Sequence, residues 1–100
     1  MYIVNVTIKI HEIEKERLAG LLERHSAWFT GHFQQGDFLL LGPYLDWEGS
    51  GIILAQAENR EALEKILSGD AFYAEHLAEY QVHEFKAAKI ADQLKDYQDR

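Results

Sequence analysis

The chain has 100 residues, enough for one domain with a single hydrophobic core. Hydrophobic residues make up 47% and charged residues 27%, which is ordinary for a globular chain, and the net charge of -7 argues against nucleic acid or anionic lipid as a partner. The absence of cysteine excludes disulfides, thiol catalysis and thiolate zinc sites. The sequence contains no run of about 18 apolar residues, so no membrane span is expected. The first residues, MYIVNVTIKI, are typical of a strand rather than a signal peptide, so we expect a cytoplasmic protein.

The first half of the chain predicts a strand, a long helix and a second strand. Apolar residues alternate over 2–9, which indicates a half-buried strand. They follow helical spacing over 12–35, and Gly36 is suited to end that helix in the left-handed conformation. The short apolar run DFLLLGP then predicts the second strand.

The second half predicts a strand, a helix and a strand. A turn-rich segment, YLDWEGSG, leads into the strand GIILAQA. Asn59 is a suitable cap for the helix REALEKILS, and EYQVHEFKA predicts the last strand. The order β-α-β-β-α-β predicts an α+β, ferredoxin-like fold, with an antiparallel sheet and two helices on one face. We place this domain at 1–89 and a tail at 90–100, which either docks as a short helix or frays.

The second face of this sheet is apolar and has no predicted cover. On the second strand, Leu39 and Leu41 are expected to oppose Phe38 and Leu40, and the third strand also carries apolar residues on both faces. An apolar sheet face left in water usually marks a partner surface. We therefore expect a homodimer through the open sheet face.

His25 lies in the apolar stripe of the first helix, where leucine would pack better. The residues alone favour a histidine that fills space with one ring nitrogen bonded to the backbone. The alternative is a proton carrier, which needs a carboxylate to fix its tautomer and stabilise its charged form. Asp70 follows the second helix, which runs beside the first, so its carboxylate can approach His25. Asp70 is also suited to cap the segment that follows it.

The remaining histidines predict no metal site. His32 lies two helical turns from His25, about 10 Å along the axis, whereas metal-binding helices usually place two ligands one turn apart. The chain also lacks an HExxH motif. We expect neither a metal nor a cofactor.

In their order along the chain, these segments resemble the YCII-related family over residues 1–89. The similar features are the YIV strand, His25 in the first helix, GDFLLLGPY, SGDAF and AEHLAEYQVHEFKA. The resemblance implies the dimeric α+β barrel form of the fold and a His–Asp pair in each pocket, which by position is His25 and Asp70. The wider superfamily includes lactone isomerases, dehydrochlorinase-like lyases and monooxygenases. Ala71 stands where the family usually has a proline, which would stiffen the backbone after Asp70.

We therefore expect a small-molecule enzyme of lyase or isomerase type. His25 would abstract or deliver a proton, and Asp70 would orient the imidazole and stabilise its charge. Backbone groups and aromatic rings would shape the substrate pocket: Gly42, Pro43, Tyr44, Trp28 and Phe72. The alternative is a non-catalytic metabolite-binding or dimeric interaction module of the same fold. A cofactor-independent oxygenase has less support.

Overall fold

The computed structural model describes all 100 residues and has the α+β ferredoxin-like arrangement that the sequence predicts. In chain order the elements are β1 (Tyr2–Ile8), α1 (Lys15–Gln35), β2 (Phe38–Pro43), β3 (Ser50–Ala55), α2 (Arg60–Leu67) and β4 (Ala78–Glu84). The sheet order is β2-β3-β1-β4, and all neighbouring strands are antiparallel. No helix is both long enough and apolar enough to cross a membrane.

Local signals explain where the helices begin and end. The first helix starts at Lys15, later than the apolar spacing predicts, because Ile10–Glu12 form a separate 3-10 turn. Gly36 ends α1 at a φ of 85°, a left-handed conformation that costs glycine little. The Asn59 side chain accepts a hydrogen bond from the backbone N–H of Ala62 at 2.8 Å and caps α2 as predicted.

The core lies between the helices and one face of the sheet. Alternate residues of β1 face the helices and are buried, as strand geometry requires. Leu63 and Leu67 of α2 are fully buried against this face, and Trp28 and Phe29 of α1 pack at its edge. The nine residues of the main cluster are Tyr2, Val4, Val6, Phe38, Ile53, Ala55, Leu63, Leu67 and Val82.

The second strand does not alternate regularly. Phe38 pairs with Ala55 and Leu40 pairs with Leu54, so two residues advance on β2 for one on β3. Leu39 is the extra residue of a bulge. The expectation that Phe38 and Leu40 share a face is therefore wrong, because the bulge turns Phe38 and Leu41 toward the helices and Leu40 away from them.

The opposite face of the sheet carries an uncovered group of aliphatic side chains. Ile3, Leu40, Ile52 and Leu54 form this open apolar patch, and Leu40 is 38% exposed. On the same face, the neighbouring positions of β4 are polar: Glu79, Gln81 and His83. The patch is therefore confined to β1, β2 and β3.

The C-terminal tail continues from β4 along one end of this face. The backbone N–H of Phe85 donates to the carbonyl oxygen of Met1 at 2.9 Å, which carries the chain past the end of β4. A hollow of about 380 Å³ lies between Met1, Leu54 and tail residues up to Leu94. Asp92–Tyr97 form a 3-10 turn, and the apolar side chains at its surface are exposed. The tail therefore adds apolar surface beside the open apolar patch.

Candidate functional site

The first helix carries His25 near its midpoint and points it at the sheet. Leu21, one turn earlier, is buried, and Phe29, one turn later, packs against the core. The side chain of His25 is 15% exposed, so the ring sits at the boundary between the core and solvent. Its ring lies against three aromatic rings, with centroid separations of 5.7 Å to Trp28 and 5.3 Å to both Phe29 and Phe72. The imidazole is thus held in one orientation by packing.

The turn after α2 brings Asp70 to this ring. Its backbone N–H donates to the carbonyl oxygen of Leu67 at 3.1 Å, which folds the chain back at the end of the helix. The carboxylate is fully buried, and its Oδ1 lies 2.6 Å from His25 Nδ1. Both hydrogen bonds to the carboxylate come from side chains and none from a backbone N–H, so Asp70 does not cap the segment that follows it. Two side-chain contacts hold the carboxylate, and the residue that follows it is Ala71.

Tyr80 completes the group, and the sequence reasoning missed it. Its hydroxyl donates a hydrogen bond to Asp70 Oδ2 at 2.5 Å. Tyr80 lies on β4 opposite Val6, on the face that the helices cover. Burial, together with the hydrogen bond to the Asp70 carboxylate and its charge, raises the pKa of the Tyr80 phenol far above its usual range. The alternation of Ala78, Tyr80 and Val82 was the available signal that this ring points inward.

These contacts fix the proton on the imidazole. A carboxylate that accepts two hydrogen bonds is stabilised in its ionised form, and an ionised carboxylate only accepts. His25 Nδ1 therefore donates to Asp70, and the neutral ring keeps its lone pair on Nε2. His25 Nε2 has no hydrogen-bond partner within the protein. The arrangement matches the requirement for a general base: one nitrogen anchored, the other free to take a proton.

The imidazole lines an apolar cavity of about 360 Å³ between α1 and the ends of β1, β2 and β3. Apart from His25 and Tyr44, none of the fourteen lining residues carries an ionisable side chain. The Tyr44 hydroxyl donates to Asn5 Oδ1 at 2.5 Å, so it is already engaged. The lining residues are Val6, Ile8, Leu22, His25, Phe29, Leu41, Gly42, Pro43, Tyr44, Gly49, Ser50, Gly51, Ile52 and Ile53.

The structure brings some of the predicted pocket residues to this cavity and not others. Gly42, Pro43 and Tyr44 line it beside His25. Trp28 and Phe72 touch the imidazole but do not line the cavity. Phe72 is fully buried, and Trp28 Nε1 donates to the carbonyl oxygen of Ile66 at 3.1 Å, which ties α1 to α2. The geometry therefore assigns these two rings to packing around the imidazole rather than to the cavity wall.

A second His–Asp pair lies at the end of α1. His32 Nδ1 is 2.8 Å from Asp37 Oδ2, and both side chains are about a quarter exposed, at 23% and 27%. The His32 ring packs against Trp28 and Phe38, and it does not line the cavity. A histidine in the last helical turn is favoured by the helix dipole, so this pair has a structural explanation. No group of three or more His, Cys, Asp or Glu side chains is placed to hold a metal ion.

The fold and the site together define a small ferredoxin-like protein with a part-buried His–Asp–Tyr group beside an apolar cavity. A family model described as the YCII-related domain matches residues 1–86. The chain therefore belongs to the YCII-related family. A comparison with curated proteins gives no match.

Proposed function

We propose that the protein is a small-molecule enzyme of lyase or isomerase type in which His25 is the general base. The observation that carries this proposal is that one ring nitrogen is hydrogen-bonded and the other is not. Nδ1 is anchored on the buried Asp70 carboxylate, while Nε2 is unpartnered on a ring that lines the cavity. What distinguishes His25 from His32, which also bonds an aspartate, is that the carboxylate is fully buried and the ring lines the cavity.

The cavity favours an uncharged substrate. Its wall contains no Lys, Arg, Asp or Glu, so a carboxylate or phosphate entering it would find no partner for its charge except the imidazole itself. Its volume of about 360 Å³ lies at the lower end of the usual range for ligand pockets. A small, largely apolar molecule with one acidified C–H bond fits both properties.

The proposed chemistry balances without a co-reactant. His25 Nε2 takes a proton from carbon, and the resulting imidazolium is stabilised by Asp70. In an isomerisation the same proton returns to a different carbon of the substrate. In an elimination the electron pair forms a double bond, a leaving group departs with its own pair, and the proton passes to water. General base catalysis of this kind contributes about 10²–10⁴-fold in rate.

Proton abstraction is testable before the natural substrate is found. We would incubate the protein in D₂O with a panel of neutral cyclic ketones and lactones and follow loss of α-proton signals by NMR. The expected result is exchange above the buffer rate for one or more compounds, lowered about 10²–10⁴-fold by His25→Ala. His32→Ala is the matched control, because it removes an imidazole of the same helix that also bonds an aspartate but does not line the cavity. Equal exchange by the wild type and His25→Ala would contradict the proposal and favour the non-catalytic module.

We further propose that a second copy of the chain covers the open apolar patch, which would give the dimeric α+β barrel. The patch and the adjacent tail expose aliphatic side chains that water would otherwise surround. Light scattering at micromolar concentration is expected to give twice the chain mass. Leu40→Glu should shift that mass toward one chain, whereas Ala27→Glu, on the exposed side of α1, should not. A single-chain mass for the wild type would contradict the dimer.

A further inference from the structure

The Tyr80 hydroxyl makes a hydrogen bond to Asp70 that a phenylalanine at this position would lack. The ring of Tyr80 already has neighbours, including Tyr73 at a centroid separation of 5.6 Å. Its hydroxyl, however, is aimed at Oδ2, the oxygen of Asp70 that His25 does not use. The two donors therefore compete for the charge of a single buried carboxylate.

We propose that Tyr80 is a positioning residue that lowers the basicity of His25 through Asp70. This inference rests on the proposed role of His25 as the general base. A phenol that donates to the carboxylate draws on its negative charge, and it does so most strongly when the imidazole is neutral. Protonation of His25 weakens that bond, so the Tyr80 hydroxyl favours the neutral ring. The consequence is that more of the protein carries a free Nε2 lone pair near neutral pH.

Few other titratable side chains face His25, Asp70 and Tyr80. From the turn after α2 they are Asp70 and Tyr73, from β4 Tyr80, and from the end of β2 Tyr44. No lysine or arginine lines the cavity beside the imidazole. The charge that acts on His25 is therefore dominated by the Asp70 carboxylate, and Tyr80 is the only other side chain bonded to it.

The direction in which the midpoint of the His25 titration moves distinguishes this proposal from a general loosening of the site. We would follow the His25 Cε1–H resonance by NMR across pH in the wild type and in three variants. Asp70→Asn should lower the midpoint of the titration, because it removes the charge that stabilises the imidazolium. Tyr80→Phe should raise it, since the carboxylate keeps its charge for His25 alone. Tyr73→Phe, which removes a phenol hydroxyl that makes no hydrogen bond to Asp70, should leave it unchanged.

A second measurement uses the unaltered protein, so that a poorly folded variant does not decide the matter. With ¹³C-labelled tyrosine, the Tyr80 Cζ signal should move with the same midpoint as His25 Cε1–H, because the two groups share one carboxylate. A Tyr80→Phe midpoint that is unchanged or lowered, or a Cζ signal that ignores the His25 titration, would overturn the proposal. Neither measurement needs a substrate, so they fail or succeed separately from the exchange assay. If exchange activity is found, the acidic limb of its pH profile should move upward in Tyr80→Phe.

Discussion

Removal of the Asp70 carboxylate should be among the most damaging single changes in this chain. In Asp70→Ala, His25 and Tyr80 both lose their partner at a site whose carboxylate is fully buried, so water does not replace it. Each hydrogen bond to a charged group contributes about 1.5–3 kcal/mol, so the loss of both in Asp70→Ala should cost about 3–6 kcal/mol. That is a large share of the roughly 5–15 kcal/mol of stability expected for a domain of this size.

The chain supplies its own control for this prediction. Asp37 makes a comparable bond to His32, at 2.8 Å, but its side chain is 27% exposed and water takes over when the bond is lost. Asp37→Ala should therefore cost no more than about 1 kcal/mol. Urea unfolding followed by tryptophan fluorescence, at one fixed protein concentration, measures both variants. If Asp70→Ala costs less than about 1.5 kcal/mol, or no more than Asp37→Ala, the buried carboxylate does not hold the site together.

Three further outcomes follow from the structure. The pKa of Tyr80 is raised in the folded state, so its protonated phenol adds to the free energy of unfolding. This contribution is complete below about pH 10 and is lost as the pH rises further. In Tyr80→Phe, the free energy of unfolding should therefore fall less steeply with pH in the alkaline range. Gly51→Ala places a Cβ 3.0 Å from the Gly42 carbonyl oxygen and should destabilise by about 1–3 kcal/mol, whereas Gly42→Ala meets nothing within 4 Å and should be near neutral in the same urea assay. Trp28→Phe removes one of the two hydrogen bonds that the Ile66 carbonyl oxygen accepts, the other coming from the Gly69 N–H, and thermal unfolding should show a loss of about 0.5–1.5 kcal/mol.

The sequence was informative wherever one local signal acted without competition. The left-handed Gly36 and the Asn59 cap were readable because each depends on a single residue and its immediate neighbours. The proximity of His25 and Asp70 was also accessible, since the topology sets the end of α2 beside the middle of α1. Their catalytic roles are a separate matter and stay predictions.

The features that were missed depend on contacts between distant parts of the chain. Tyr80 reaches Asp70 only because of the register between β4 and β1, which no spacing in the sequence specifies. The bulge at Leu39 was hidden within a run of leucines, where every register presents an apolar side chain to both faces. Trp28 and Phe72 were expected to shape the substrate pocket, and the structure places them against the imidazole but not on the cavity wall. Whether a ring near the imidazole lines the cavity or supports it from behind is decided by packing.

The bend at Leu39 also decides which side chains form the cavity wall. If β2 paired regularly from Phe38 onward, Leu40 and Gly42 would turn toward the helices, and Leu41 and Pro43 would turn away. Removing the bulge would therefore replace Leu41 and Pro43 by Leu40 and Gly42 on the cavity side of the strand, without any substitution among these four residues. A shift in the phase of this one strand would therefore alter the shape of the cavity and leave the composition of the chain unchanged.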